Sequence, residues 1–185
     1  GLRFSQYVAA DKLLAQLSSG SLGKFDCVLH LGACSSTTET DINYLRRNNF
    51  EFSRDLAEWA ISGGVRFVYA SSAATYGDLP GGDDRDPHAI ELLRPLNPYG
   101  ESKQAMDLHA RRHGWLDRVV ALKYFNVFGP NEGHKGDMRS MVNKSFERVR
   151  DTGVLHLFKS YRPDYNDGEQ KRDFLYVKDA VDMTL

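Results

Sequence analysis

Short apolar runs alternate along this chain with longer stretches in which apolar residues recur every three or four positions. Asp26-Cys27-Val28-Leu29-His30-Leu31 is a nearly continuous apolar run that ends at Gly32, and residues 65–70 form a second. Runs of this length read as strands buried on both faces of a sheet. Between them, residues 41–62 set Ile42, Leu45, Phe52, Leu56, Trp59 and Ala60 at helical spacing, and Gly63-Gly64 supply a stop. The same period predicts helices over residues 4–18, with Leu13, Leu14 and Leu17 on one side, over 99–113 and over 138–150. Further strands are predicted over 118–125, 154–158 and 173–177, and a helix begins at residue 178. The connecting segments are polar or small: 18–24, 33–38, a Gly/Pro/Asp-rich loop over 79–98, a Gly/Asn-rich stretch over 126–136, and 160–171. Strands alternating with helices imply βαβ units, hence an α/β fold with a parallel sheet covered on both faces.

Composition narrows the function classes. At 185 residues, 41% hydrophobic and 26% charged, the chain suits one domain or one and a half with a sizeable core. A net charge of −1 without a basic block argues against a nucleic-acid partner, so an anionic ligand must be met by local groups. Cys27 and Cys34, in or just after an apolar run, read as two buried thiols suited to a reducing cytoplasm. No Cys/His pair has zinc-ligand spacing, so no metal is expected. The chain contains no apolar run of about 18 residues and no signal-peptide pattern, so no membrane association is expected.

Chemistry concentrates in Pro98-Tyr99-Gly100-Glu101-Ser102-Lys103. Tyr99 and Lys103 stand four residues apart at the opening of a helix and share one face. An ammonium near a phenol favours the phenolate, which predicts a Tyr99 pKa drawn from about 10 toward neutrality, where it serves as acid or base. Taken alone, the pair reads more simply as a solvated Tyr/Lys couple. The upstream segment Val68-Tyr69-Ala70-Ser71-Ser72 changes that, because an apolar strand there runs straight into hydroxyls, and open parallel sheets carry their chemistry at the carboxyl ends of strands. Hydride transfer between a carbinol and a nicotinamide needs a base for the hydroxyl proton and a group to hold the oxygen. The alternative for the serines is a strand-end turn that saturates its own backbone.

These residues resemble the extended, sugar-nucleotide branch of the short-chain dehydrogenase/reductases. Tyr124-Phe125-Asn126-Val127-Phe128-Gly129-Pro130 is similar to that branch's junction between strand and substrate domain. Leu31-Gly32-Ala33-Cys34-Ser35-Ser36-Thr37-Thr38-Glu39 and Glu132-Gly133-His134-Lys135-Gly136 resemble the ADP-L-glycero-D-manno-heptose 6-epimerase family within it. The resemblance implies a Rossmann-like doubly wound parallel sheet, its dinucleotide-binding part over 1–125 and part of a smaller nucleotide-sugar domain over 126–185, with 173–185 returning toward the first. It implies transient oxidation at C6 of an ADP-heptose by tightly bound NADP, with NAD possible, in lipopolysaccharide core biosynthesis, in a cytoplasmic homo-oligomer. Ser72, Tyr99 and Lys103 match the hydroxyl–tyrosine–lysine triad, and Lys135 matches a second acid/base on the other face of the substrate carbon. Leu31, Gly32, Ala33, Cys34, Ser35, Asn48 and Val127, with Tyr99, Lys103 and Lys135, match cofactor-lining positions. Ser72, Asn126, Asp137, Lys144 and Arg172 match substrate contacts, and Phe158 matches a residue near the adenine or fills a core. A 4-epimerase or a 4,6-dehydratase of the same branch is the alternative. A dehydratase would want an acidic pair just after the serines, where Thr75-Tyr76-Gly77 stands. A decayed, non-catalytic Rossmann scaffold is a third reading, disfavoured by the presence together of Ser72, Tyr99, Lys103 and Lys135.

The sequence departs from the family pattern at several places. Leu31 stands where some members carry a polar residue, Asp137 where a small hydroxyl residue is usual, and the loop over 160–169 is long. No GxxGxxG or GxGxxG occurs, although a dinucleotide fold needs that turn to bring backbone amides to the pyrophosphate. The expectation from the family is therefore an incomplete form, with on the order of 60 residues before Gly1 and the carboxyl end stopping inside the substrate domain.

Overall fold

A computed structural model describes residues 3–79 and 85–185. The chain divides into two compact units, Gly1–Lys123 and Tyr124–Leu185.

In the first unit, β1 (Cys27–His30), β2 (Arg66–Ser72) and β3 (Val119–Tyr124) lie in that order in one sheet. β1 and β2 are parallel, with Cys27 opposite Arg66 and His30 opposite Tyr69. The crossover between them is helical: α2 (Ile42–Leu45), a six-residue π-helical turn (Arg46–Glu51) and α3 (Phe52–Ser62). α1 (Ala10–Ser18) precedes β1, and α4 (Ala89–Leu92) and α5 (Pro98–Arg112) lie between β2 and β3. The core forms where the apolar stripes of α1, α3 and α5 meet one face of the sheet: Leu17, Leu56, Ala57, Ala60, Phe67, Tyr69, Met106, Ala110 and Val119.

Several expectations are revised. α1 begins at Ala10 rather than residue 4, and Phe4 and Tyr7 are exposed, so the first predicted turn has no apolar face to bury. β2, the central strand, is buried along most of its length, but β1 is an edge strand with Cys27 and Leu29 exposed. The expectation of two buried thiols fails with it: Cys27 is exposed and Cys34 half-buried, both as free thiols. The predicted loop over 79–98 contains the helical turn α4, and its residues 80–84 lie outside the described residues. The single predicted helix over 41–62 is interrupted by the π-helical turn over 46–51.

The second unit holds a parallel pair, β4 (Asn126–Phe128) and β5 (Phe174–Tyr176), with Val127 opposite Leu175. A 3₁₀ segment (Gly133–Met138), kinked at Gly136, leads into α6 (Met141–Thr152), and α7 (Val177–Thr184) follows β5. Residues 154–158 form no strand, and Leu155, Leu157 and Phe158 are exposed. An extended segment needs a ladder partner, and β4 and β5 pair with each other. Gly129 is a requirement of packing: a Cβ there would stand 2.4 Å from Val177 Cγ1. Among the described residues, no helix is long and apolar enough to cross a membrane.

Phe67 is fully buried at the centre of the core. Phe67→Ala is expected to lower unfolding stability by about 3–5 kcal/mol, read as a shift of the urea midpoint. A shift under about 1 kcal/mol would show that the sheet face is not the core.

Candidate functional site

The carboxyl end of β2 runs into a 3₁₀ turn (Ala73–Tyr76) that Ser72 caps, its Oγ accepting from Ala74 N at 3.1 Å. α5 opens against this turn. Asn97 caps it by accepting from Gly100 N at 2.8 Å, and Pro98 fills the first helical position, where a missing N–H costs nothing. A Cβ on Gly100 would stand 2.8 Å from Ala74 O and 2.9 Å from Pro95 Cβ, so only glycine lets the helix approach this closely. That approach brings the Tyr99 phenol near enough to the Ser72 hydroxyl for the two to interact.

One turn later, Lys103 is 6% exposed and donates to Ala70 O at 2.9 Å. Burial lowers its pKa to about 8, against the opposing pull of the Asp107 carboxylate. Tyr99 departs from the expectation. Burial raises the phenol above its ordinary value, and the hydrogen bond from Ser72 opposes but does not reverse this. The Lys103 ammonium donates to a backbone carbonyl rather than to the phenol, and desolvation wins over the charge effect predicted from the four-residue spacing.

The loop after β1 reaches the same place. Leu31, Gly32 and Ser35 are exposed, while Ala33 and Cys34 are half-buried. Asn49, 1% exposed and lying in the π-helical turn, fastens this loop to α5. Its Oδ1 accepts from Cys34 N at 2.8 Å, and its Nδ2 donates to Cys34 O at 3.0 Å and to Ser102 Oγ at 2.9 Å. Ser102 Oγ in turn donates to Tyr99 O at 2.7 Å. Asn48 points elsewhere, donating to Tyr44 O in its own helix. The signal for Asn49 was available: a polar pair, Asn48-Asn49, in the middle of an amphipathic pattern, where asparagine is a poor helix former.

His30, at the end of β1, is buried with its Nε2 2.8 Å from Ser53 Oγ. Ser53 already donates its proton to Asn49 O at 2.8 Å, so the imidazole is the donor and carries its proton on Nε2. Burial, then the nearby Lys103 charge, lowers the His30 pKa to about 4.

The remaining candidates belong to the second unit. Asn126 is exposed and donates from Nδ2 to Asp173 O at 2.9 Å, and Val127 is half-buried. Lys135 is exposed on the 3₁₀ segment, its backbone N bonded to Glu132 O at 2.9 Å. Lys144 Nζ donates to the backbone carbonyl of Asp137 at 2.5 Å. Phe158 and Arg172 are exposed, Arg172 donating to Lys171 O. Sequence reasoning missed Glu132, which is 4% exposed. Burial alone would raise its carboxyl, but hydrogen bonds from Ser140 N, Gly129 N and Ser140 Oγ hold it below the usual range. Glu132 thereby ties the end of β4 to the start of α6 and fixes the segment that carries Lys135. Among the described residues, no group of three or more His, Cys, Asp or Glu is placed to hold a metal.

The sequence matches the NAD dependent epimerase/dehydratase family over residues 11–185. It is 50% identical over 182 residues to an ADP-L-glycero-D-manno-heptose-6-epimerase of Nitratidesulfovibrio vulgaris, covering 98% of this chain and 56% of the relative. It is 45% identical over 161 residues to one of Fusobacterium nucleatum, covering 85% and 48%. The crystal structure of the Helicobacter pylori ADP-L-glycero-D-manno-heptose-6-epimerase superposes with a TM-score of 0.73 at 32% identity, covering 90% of this chain and 50% of that one. The chain thus spans about half the length of the relatives it matches.

A neutral, buried His30 makes the fold sensitive to acid. Because its folded pKa lies below the ordinary 6.5, at about 4, its stabilising contribution is present above pH 6.5 and lost as the pH falls through 4. Comparison of urea midpoints at pH 7 and pH 4 is expected to show an extra loss of about 3 kcal/mol in the wild type relative to His30→Gln. Equal losses in the two proteins would show that His30 titrates normally.

Proposed function

Because this chain belongs to the NAD dependent epimerase/dehydratase family, we propose that it forms the catalytic part of an ADP-L-glycero-D-manno-heptose 6-epimerase. The observation that carries this reading is a buried Lys103 bonded to the carboxyl end of a central strand, where the close approach of α5 at Gly100 sets Tyr99 near Ser72. The identities to enzymes of that name, at 50% and 45%, supply the substrate.

The residues present fit a nicotinamide cofactor. An ammonium has three donors, and Lys103 spends one of them on Ala70 O, leaving two for an acceptor such as a ribose hydroxyl. The exposed Leu31–Gly32 segment offers backbone at the end of β1. NADP, when bound, supplies hydride acceptance and return at the substrate carbon. Tyr99 removes the proton from the C6 hydroxyl as that carbon is oxidised to the ketone, and the proton transfer of the return step falls to a second group. Ser72 donates to the substrate oxygen, and Lys103 holds positive charge next to the developing phenolate. Lys135, presented by the Glu132-anchored segment, serves as the second proton-transfer group, on the opposite face of the carbon. Two such groups are what inversion requires, since the ketone is reduced from the face opposite to the one oxidised. On this reading the first unit is the dinucleotide-binding part and the second belongs to the nucleotide-sugar domain, with Asn126, Asp137, Lys144, Phe158 and Arg172 toward ADP-heptose. NADP as the preferred cofactor, the cytoplasm as compartment and a homo-oligomer as working form rest on the resemblance of the two glycine-containing segments around Cys34 and Lys135.

The test is epimerisation of ADP-heptose by the native-length protein. Tyr99→Phe and Lys135→Met are each expected to lower kcat about 10²- to 10⁴-fold with the fold intact by circular dichroism. Wild-type rates in both variants would overturn the two-base reading.

A further inference from the structure

Directly beneath the Ser72–Tyr99–Lys103 cluster lies a buried polar network that the proton transfers above do not use. Asp107 follows Lys103 by one turn of α5 and is 2% exposed. Its Oδ1 accepts from the Tyr69 hydroxyl at 2.7 Å, and its Oδ2 accepts from Ser71 Oγ at 2.8 Å and from Lys123 Nζ at 2.6 Å. The Lys123 ammonium also donates to Thr75 Oγ1 at 2.8 Å and sits 5.4 Å from the centre of the Tyr76 ring. Thr75 Oγ1 then donates to Ser72 O at 2.8 Å.

The result is a grip on three consecutive residues. Ala70 is held through its carbonyl by Lys103, Ser71 through its hydroxyl by Asp107, and Ser72 through its carbonyl by Thr75, which Lys123 steadies. A buried ion pair contributes little net stability, because the desolvation of both charges offsets their attraction. What such a pair does fix is geometry, and here every bond it makes converges on the strand end that presents the Ser72 hydroxyl to Tyr99.

We propose that Asp107, paired with Lys123, is a positioning residue for this centre: it locks the Ser71–Ser72 strand end against α5 and places a compensating negative charge beside the Lys103 ammonium. The proposal rests on the acid/base reading of Tyr99 given above. Lys103 faces Asp107 and Tyr99 on its own helix, His30 of β1, Cys34 of the following loop and, across Asp107, Lys123 of β3. Among these, Asp107 is the carboxylate whose charge favours the Lys103 ammonium, so without it Lys103 loses its proton at lower pH.

The experiment uses the native-length protein and the double variant Asp107→Asn/Lys123→Met, which removes both charges so that neither is buried unpaired. The expected result is a wild-type urea midpoint, KM within about threefold, kcat lowered about 10- to 100-fold, and Lys103 titrating below its wild-type value of about 8 by NMR of labelled lysine. Ser71→Ala is measured alongside, since it cuts the Asp107–Ser71 link and leaves the ion pair intact; it is expected to lower kcat with KM and midpoint unchanged. If the double variant does not fold, the Ser71→Ala result alone decides. Wild-type kcat in Ser71→Ala, or in a folded double variant with an unshifted Lys103 titration, overturns the proposal. With Tyr99→Phe crippled as expected, such an outcome removes only the role of Asp107; a fully active Tyr99→Phe removes the acid/base reading itself.

Discussion

Burying a lysine ammonium between a strand end and a helix constrains everything around it. Water must be replaced by fixed acceptors, or the charged form becomes untenable. Lys103 finds one such acceptor, the Ala70 carbonyl on β2, with the charge of Asp107 one turn along its own helix, and it still has a pKa lowered to about 8. That compromise dictates how close α5 must come to the sheet. It therefore accounts for glycine at position 100, where any side chain would strike the Ala74 carbonyl. The same desolvation acts on Tyr99, whose phenol stays protonated at neutral pH despite the hydroxyl beside it.

A second constraint comes from the crossover between β1 and β2. Asn49 stands four residues after Leu45 and four before Ser53, on the buried face of that crossover and within its π-helical turn. The asparagine then uses both ends of its amide, accepting from and donating to the loop after β1 while donating to Ser102. Since Ser102 donates to the carbonyl of Tyr99, one side chain connects the loop that would line a cofactor with the helix that carries the phenol. In the second unit, Glu132 has a comparable place, joining β4 to α6 through three accepted hydrogen bonds.

How much of this was legible in the sequence depended on whether the signal was local. The strand ends at Gly32 and Ser72, the helix with Tyr99 and Lys103, and their parallel arrangement all followed from short runs and fixed spacings, and the family match over residues 11–185 agrees with them. The Tyr99 electrostatics did not follow, because spacing puts an ammonium near a phenol but says nothing of the Ala70 carbonyl that claims it. Burial of β1 was overestimated for a similar reason: an apolar run is the same whether its strand is central or at an edge. Residues 154–158 had the composition of a strand but found no partner. Asn49, Asp107 and Lys123 were invisible one at a time, since each acts only through residues tens of positions away.

The hydrogen bonds from His30 through Ser53 to the Asn49 carbonyl run in a single direction, each group giving its only proton to the next. A chain with that polarity has no slack. A proton arriving on the free imidazole nitrogen cannot be passed along, so it must be met by rearrangement of the charged ring itself. The residue at the far end of the chain is the one that clasps Cys34. Acid strong enough to charge that ring, near its pKa of about 4, therefore sets a buried cation at the end of β1, four residues before the cysteine that the far end of the chain holds.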